Sequence, residues 1–197
     1  MQRFKAFFES YTDLSEAEWE QIKAKVKVRR YKKGDVVHHI GDIFKEMLFI
    51  DKGLLRSYFI DENGRDFTWQ LHFAHPKANL KNLFVLDYAS FSMQQPSLMT
   101  VEALEESELY AISFEDREAL YALDPKWERF GRKVCEEVYA MTYYRTVSLL
   151  TQSAKERYEQ LLEDRPELFE VAPQHYIASY LGIAPQSLSR MKHRQKQ

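Results

Sequence analysis

Turn-forming residues interrupt the chain at short, regular intervals between Val28 and Ser113, and this punctuation constrains the fold more than any other feature of the sequence. The runs between the turns are short and rich in Val, Ile, Phe and Tyr. Such a pattern is typical of an antiparallel barrel or sandwich. The turn signals are Lys33-Gly34-Asp35, Gly41-Asp42, Asp51-Lys52-Gly53 and Asn63-Gly64.

The Asn63-Gly64 pair is the strongest of these signals. It separates two strand-like runs, Leu55–Ile60 and Phe67–Phe73. In the second run, aromatic and Leu side chains alternate with Thr, Gln and His, which predicts a hairpin with a two-residue turn and one buried face. This register places His72 on the solvent side of its strand.

A less regular segment, from Ala74 to Pro96, interrupts the predicted barrel. It is neither clearly strand nor long helix, and its composition suits a ligand-facing loop. Two further strands are predicted after it, at Leu98–Leu104 and Leu109–Ser113.

Helical spacing flanks the β region on both sides. On the amino-terminal side, Ser15 and Glu18 form a capping box ahead of an apolar helical pattern. On the carboxyl-terminal side, Ser113 caps one helix, and Asp124-Pro125 begins a second with Pro in its first turn.

This second helix carries an apolar stripe over more than 20 residues, with no Gly or Pro after Gly131. A helix of this length must bury its stripe, either on its own barrel or in a coiled-coil-like seam against a second subunit. We favour the seam because aromatic and Met side chains fall on one narrow face. The predicted interface residues are Trp127, Phe130, Val134, Val138, Met141 and Tyr144.

The remaining part, from Thr151 to Gln197, is interpreted as a second domain of three short helices. The chain has a net charge of -2, yet its last 27 residues contain no Asp or Glu and carry a charge of +4 from Arg and Lys. A basic end on an acidic body indicates a site for a polyanion. A solvated basic tail is the alternative.

Within this part, Tyr176–Arg190 has the residue pattern of a helix-turn-helix. Ala178 lets the second helix approach the first, and Gly182 supplies a left-handed turn four residues later. Leu188 fills the wedge between the helices, and Pro185 begins the second one. That helix offers side chains of the kinds that read base edges and phosphates. The predicted DNA-binding residues are Gln186, Ser187, Ser189, Arg190, Lys192, His193 and Arg194.

Taken together, these features resemble the Crp/Fnr family of transcription regulators over nearly all of the 197 residues, and the chain looks most like the branch found in Bacteroidetes-type bacteria. The parts that carry the resemblance are Lys33-Gly34-Asp35, Gly41-Asp42, Met47–Arg56, the Asn63-Gly64 hairpin and Tyr176–Arg190.

The resemblance implies an α+β chain in three parts. Residues 1–123 would form an antiparallel, jelly-roll-like β-roll of the cyclic-nucleotide-binding kind, residues 124–150 a dimerisation helix, and residues 151–197 a winged-helix/helix-turn-helix domain. The implied function is that of a dimeric, sequence-specific transcription regulator in the bacterial cytoplasm. The implied partners are double-stranded DNA, a second copy of the chain and RNA polymerase.

The stretch that resembles the phosphate-binding cassette departs from the family pattern. Cyclic-AMP-responsive members place a Gly-Glu pair and an Arg-Ser or Arg-Thr pair around the cyclic phosphate and ribose, whereas no Arg occurs here between Asp66 and Asp116. A buried cyclic phosphate would therefore lack its guanidinium partner, so we expect neither cyclic AMP nor a cofactor. One alternative is that Lys77 or Lys81 supplies the substitute charge. The pocket otherwise takes another small-molecule effector, whose identity stays open, or none. The predicted effector-pocket residues are Asp87, Tyr88, Ser90, Ser97 and Thr100.

Metal and redox chemistry are not expected. The single Cys135 excludes an intrachain disulfide and a Cys-ligated zinc or iron–sulfur site. Of the histidines, His72 is predicted to face solvent, and the adjacent His38 and His39 point to opposite faces of a strand. These two, with His75, are interpreted as structural or surface residues rather than haem or metal ligands.

Other classes of function are weighed against the regulator. A metal-dependent enzyme of the cupin kind needs a His-x-His pair, which the chain does not offer in this region, so we expect no catalytic residue. A degenerate cyclic-nucleotide-binding-like module that acts through protein–protein interaction stays open. No apolar run approaches the ~18–20 residues of a membrane span, and no signal-peptide pattern follows Met1, so we expect a cytoplasmic protein.

Overall fold

The structure is a computed structural model and describes residues 1–194. Two helices precede a β-roll, a long helix follows it, and shorter helices complete the chain. The strands are β1 (Lys27–Tyr31), β2 (Val36–His38), β3 (Glu46–Lys52), β4 (Leu54–Ile60), β5 (Asp66–Phe73), β6 (Phe84–Val85), β7 (Thr100–Ala103) and β8 (Ser107–Ser113). The helices are α1 (Gln2–Glu9), α2 (Glu16–Lys25), α3 (Leu80–Leu83), α4 (Tyr88–Met93), α5 (Phe114–Leu123), α6 (Pro125–Thr151), α7 (Ala154–Asp164), α8 (Leu168–Val171), α9 (Gln174–Leu181) and α10 (Pro185–Arg194).

The strands form two four-stranded antiparallel sheets, in the orders β1-β8-β3-β6 and β2-β7-β4-β5. Apolar side chains from both sheets meet in one core, among them Ile50 of β3, Leu55 of β4 and Leu109 of β8. The antiparallel β-roll, the long helix and the carboxyl-terminal helices confirm the predicted α+β architecture.

A second core lies beneath the amino-terminal helices. The capping box predicted at Ser15 and Glu18 is present at the start of α2, whereas helix α1 was not predicted. Aromatic side chains of both helices pack against β3 and the first half of α6. For example, the rings of Phe8 and Phe130 stack with their centres 4.9 Å apart.

This core determines where the stripe of α6 faces. Trp127 and Phe130 are 3% and 9% exposed and pack on the chain's own aromatic residues, so they are not available to a second subunit. The stripe thus follows the alternative of packing on its own barrel, and the predicted seam is wrong for these two residues. Of the other four predicted interface residues, Tyr144 is 70% exposed. The remaining three are partly buried against the core beneath the amino-terminal helices: Val134, Val138 and Met141.

The β4–β5 hairpin has a longer connection than the two-residue turn predicted at Asn63-Gly64. The strands are joined by residues 61–65. The carboxylate of Asp61 accepts hydrogen bonds from the backbone N–H groups of Asn63 and Arg65, each 2.9 Å long. This Asx-type turn extends the loop, and Gly64 within it adopts a φ of 75°.

Both faces of β5 are covered, which corrects the prediction of one solvent-facing side. His72 is 2% exposed. Its Nδ1 lies 3.2 Å from the Lys81 carbonyl oxygen and therefore donates, so Nε2 accepts from the Ser57 hydroxyl at 2.7 Å. Helix α3, which follows β5 in the sequence, lies beside His72, and the more distant α9 packs on Leu71 and Phe73.

Stability should fall with acid through His72. Burial lowers the pKa of His72 to about 3, whereas an unfolded histidine titrates near 6.5. The unfolded chain therefore binds an extra proton below about pH 6.5, and the free energy of unfolding loses about 1.4 kcal/mol per pH unit through this residue. The measurement is the free energy of unfolding, obtained from urea titrations at several pH values between 6.5 and 5. This free energy should fall more steeply with decreasing pH for the wild type and for His39→Gln, an exposed control, than for His72→Gln. Equal slopes in all three would contradict this.

The carboxyl-terminal part is entirely helical in the described residues and has four helices rather than the three predicted. The short helix α8 lies between the Arg165-Pro166 and Ala172-Pro173 breaks. No strand follows Ser113 within residues 1–194, so the wing implied by the family resemblance is not part of the described chain. A third core joins these helices to the β-roll, where Leu54, Leu71 and Phe73 pack with apolar residues of α7, α8 and α9.

Candidate nucleic-acid interface and effector cavity

The predicted helix-turn-helix is present at α9 and α10. Gly182 ends α9 in the left-handed conformation, with a φ of 68°, which Gly adopts without steric cost. The N–H of Ile183 then donates to the carbonyl of Ala178 at 3.0 Å and closes the turn. Ala178 and Leu188 are fully covered between the helices, and α10 begins at Pro185, as the sequence predicts.

The outer face of α10 carries hydrogen-bonding groups and, within its ten residues, no acid. Ser187 is half-buried, and its hydroxyl accepts a hydrogen bond from Arg190 Nη2 at 3.3 Å. Lys192 is half-buried and donates to Gln174 Oε1 at 2.8 Å. Arg194 ends the helix, and its side chain lies outside the described residues. The exposed predicted residues are Gln186, Ser189, Arg190 and His193.

Helix α9 is held against strand β5 by polar contacts. The N–H of Thr68 donates to the hydroxyl of Ser179 at 2.8 Å. The guanidinium of Arg56 lies 4.3 Å from the centre of the Tyr176 ring, close enough for a cation–π contact. Arg56 also pairs with Glu102 and Asp66. The first helix of the motif is therefore positioned by the β-roll.

Two arginines bind the carboxyl end of α9. Arg145, from α6, donates through Nη2 to the carbonyl oxygens of Tyr180 at 2.9 Å and Thr68 at 3.2 Å. Arg157, from α7, donates to the carbonyl of Leu181 through Nε at 3.1 Å and Nη2 at 2.9 Å. Cations at this end complement the helix dipole and its free carbonyls. The role of Arg157 was not predicted, because a single Arg on a polar helix face gives no signal of its partner.

A cavity of about 500 Å³ lies between the β-roll, the segment that contains α3 and α4, and helix α6. Three of the predicted pocket residues line it, namely Asp87, Tyr88 and Ser90. The other two lie beside it: Ser97 donates to Asp87 Oδ2 at 2.8 Å, and Thr100 accepts from the N–H of Ile40 at 3.4 Å. Most of the remaining wall is apolar, including Met47, Phe59, Trp69, Leu86, Met99, Val134 and Val138.

Two of the predicted polar groups of the cavity, those of Asp87 and Ser90, are committed to the local backbone. Asp87 is the N-cap of α4 and accepts from the N–H groups of Ala89 at 3.1 Å and Ser90 at 3.2 Å. The Ser90 hydroxyl donates to the carbonyl of Gln95 and accepts from the N–H of Phe44. These residues shape the wall and leave little hydrogen-bonding capacity for a ligand.

Lys81 is the only cationic side chain among the described residues that line the cavity. Its Nζ lies 5.3 Å from the centre of the Trp69 ring. Burial, together with the nearby charge of Arg145, lowers the pKa of Lys81 to about 8. Lys77, the other substitute charge considered from the sequence, is exposed and does not line the cavity.

Among the described residues, the lining offers a phosphate one ammonium group, that of Lys81, and no guanidinium. The carboxylate of Asp87 already accepts three hydrogen bonds. That the cavity does not take cyclic AMP stays a prediction.

The histidines form no common site. His38 stacks on Phe44 with ring centres 3.7 Å apart, and His75 Nδ1 accepts from the N–H of Lys77 at 3.2 Å. Within residues 1–194 no cluster of three or more His, Cys, Asp or Glu side chains is suitable for a metal ion. In the same range, no helix is long and apolar enough to cross a bilayer.

The cyclic nucleotide-binding domain family matches residues 28–124 of the chain. No curated protein matches it in sequence. Among solved structures, FixK2 from Bradyrhizobium japonicum is 15% identical with a TM-score of 0.70, and the match covers 86% of this chain and 83% of that one. The c-di-GMP-responsive global regulator CLP from Xanthomonas campestris is 17% identical with a TM-score of 0.67, covering 92% of both chains.

A protein of the Crp/Fnr family from Eubacterium rectale is 20% identical with a TM-score of 0.63, and the match covers 93% of this chain and 84% of that one. At these identities the likeness concerns the fold, and the Bacteroidetes-type branch stays a prediction. The β-roll, the long helix and the helix-turn-helix occur here in the order of those regulators. Residues 28–124 therefore belong to the cyclic nucleotide-binding domain family, and the chain as a whole has the fold of the Crp/Fnr transcription regulators.

Proposed function

We propose that this protein is a homodimeric, sequence-specific DNA-binding transcription regulator without catalytic activity. The observation that carries the proposal is helix α10, which follows a Gly-centred turn and exposes Gln186, Ser189, Arg190 and His193 on an acid-free face. An α-helix with such side chains fits the major groove, where hydrogen bonds to base edges distinguish the four base pairs. A bacterial regulator of this kind works in the cytoplasm, which is the location we propose.

Within α10 the side chains have different roles. Arg190 is the residue best suited to a guanine, because its fork of donors matches two acceptors on that base. Gln186, in the first turn, is placed for base edges. Lys192 and His193, near the end of the helix, suit phosphates, which set position and salt dependence rather than sequence preference.

The dimer interface is proposed on the exposed face of α6 rather than on the predicted stripe. Apolar and aromatic side chains recur on this face at Tyr139, Tyr143, Val147 and Leu150. The intervals of four, four and three residues keep these side chains on one face of the helix, in an 11-residue repeat that also allows two helices to pack along it. The rings of Tyr139 and Tyr143 already stack along the helix, with centres 6.5 Å apart. A second copy would cover this row and set the distance between the two α10 helices.

Selection of bound sequences from a random DNA pool tests both parts of the proposal. The wild type should recover an inverted repeat with half-sites about 10 bp apart, because two α10 helices related by a twofold axis enter successive major grooves. A Tyr143→Glu/Leu150→Glu variant should be monomeric by analytical ultracentrifugation and should recover single half-sites with weaker affinity. Ile40→Glu, an exposed apolar residue on the β-roll, is the matched control and should behave as the wild type.

Three outcomes would contradict the proposal. Binding that depends on salt but not on sequence would show that α10 does not read bases. Failure to bind DNA at all would favour the alternative of a module that acts through protein–protein interaction. A dimeric Tyr143→Glu/Leu150→Glu variant would place the interface elsewhere.

A further inference from the structure

Two cations without an acidic partner lie near one indole ring. Lys81 Nζ is 5.3 Å and the Arg145 guanidinium carbon 5.4 Å from the centre of the Trp69 ring. Among the described residues, neither side chain forms an ion pair, in contrast to Arg56, which has two carboxylate partners. The Nε of Arg145 is buried without a hydrogen-bond partner. A positive region therefore lies at the Trp69 end of the effector cavity.

The cavity combines the positive charge of Lys81 with a mostly apolar wall, which suits a ligand that has one anionic group and an apolar body. Its volume of about 500 Å³ lies in the range of small-molecule sites. Two of its other polar groups already have partners: His72 is bonded to Ser57, and Asp87 caps α4. The ammonium of Lys81 has no protein acceptor among the described residues, and it is the cationic donor of the described lining.

We propose that the effector cavity binds a small organic anion, a carboxylate with an apolar body, whose carboxylate pairs with Lys81 while its body fills the space between Trp69 and Val138. This inference rests on the proposed function, since it assigns a ligand class to the effector cavity of that regulator. A carboxylate supplies the acidic partner that Lys81 lacks, and the apolar wall accommodates the remainder of the ligand.

The position of Lys81 connects such a ligand to the DNA-binding helices. The charge of Arg145 acts on Lys81 and lowers its pKa, so the two cations repel each other. A bound carboxylate neutralises Lys81 and relieves that repulsion. Arg145 in turn donates to Tyr180 at the end of α9 and to Thr68 of β5. The anion is therefore placed to strengthen the contact that positions the helix-turn-helix.

Calorimetric titration of the full-length protein tests the ligand class. The probes are octanoate, 4-phenylbutyrate and 1-naphthylacetate, each compared with its neutral primary amide, which has nearly the same shape. The wild type should bind at least one carboxylate about tenfold or more tightly than its amide, as expected for a charge-assisted hydrogen bond in a partly buried site. Lys81→Met should abolish that preference, and Lys81→Arg should restore it. Lys77→Met, an exposed lysine four residues away, is the matched control.

The outcomes separate this inference from the proposed function. If no carboxylate binds more tightly than its amide, or if Lys81→Met keeps the preference, the inference is wrong. Amide binding and the melting temperature of Lys81→Met show whether the variant keeps its fold, and Lys81→Arg provides an independent comparison if it does not. DNA selection on the same preparations reports on the regulator, so retained DNA binding without an anion preference overturns only the ligand assignment.

Discussion

Replacement of Arg190 by Ala should weaken binding to the selected operator by about 5- to 150-fold per half-site, which corresponds to about 1–3 kcal/mol. The substitution removes the donor fork that α10 presents to a guanine. Within residues 1–194 this fork holds only a 3.3 Å hydrogen bond to Ser187, so little is lost when the side chain turns to DNA. Affinity for random-sequence DNA should change far less, because phosphate contacts dominate that binding.

The measurement is a fluorescence-anisotropy titration of operator and random duplexes at fixed salt. Arg30→Ala is the matched control, since Arg30 lies on β1 with its side chain largely exposed. It should leave both affinities unchanged, and both variants should remain dimers. Unchanged operator affinity in Arg190→Ala would remove this residue from the reading surface.

Replacement of Arg145 by Met should release the carboxyl end of α9. The substitution leaves the carbonyls of Thr68 and Tyr180 without their donor, and each hydrogen bond from a charged group contributes about 1.5–3 kcal/mol. The desolvation cost of the buried cation offsets part of this contribution. We therefore expect the free energy required to open α9 locally to be about 3 kcal/mol lower in the variant than in the wild type. That corresponds to about 150-fold faster amide exchange in α9.

Hydrogen exchange read by mass spectrometry checks this prediction peptide by peptide. Protection should fall in α9 and α10 and stay unchanged in the β3–β8 pair, which Arg145 does not contact. Arg132→Met on the same helix is the control, because Arg132 makes only an exposed pair with Glu136, and such pairs contribute little. Unaltered exchange in α9 of Arg145→Met would show that Arg157 and the apolar core hold the helix alone.

Features governed by local rules were predictable from the sequence. The capping box at Ser15 and the left-handed turn at Gly182 depend on a few neighbouring residues, and both are present. The three-part order of β-roll, long helix and helix-turn-helix follows from the change between strand and helix periodicity. The family resemblance added the expectation of a wing, which the described residues do not contain.

Features set by distant parts of the chain were not predictable. The alternation in β5 is interrupted by a register shift at Trp69, and periodicity does not reveal that His72 lies opposite Leu55 of the inner core while α9 covers Leu71 and Phe73 on the other face. The apolar stripe of α6 correctly predicts that this face is buried, but it does not predict that the aromatic side chains of α1 pack against it. Lys81 was considered as a substitute charge, yet nothing in the sequence shows that it faces Trp69 in a cavity. Tertiary packing, which local periodicity does not encode, decides each case.

The apolar core shared by the β-roll and the carboxyl-terminal helices also limits how independently the two parts can fold. Leu54, Leu71 and Phe73 are covered by residues such as Leu168 and Ile177. A fragment ending at residue 150 would expose this patch to water, and a fragment beginning at 151 would lose one wall of its interior. The chain should therefore unfold as one cooperative unit. Any ligand that stabilises the β-roll then protects the DNA-binding helices from unfolding to the same extent.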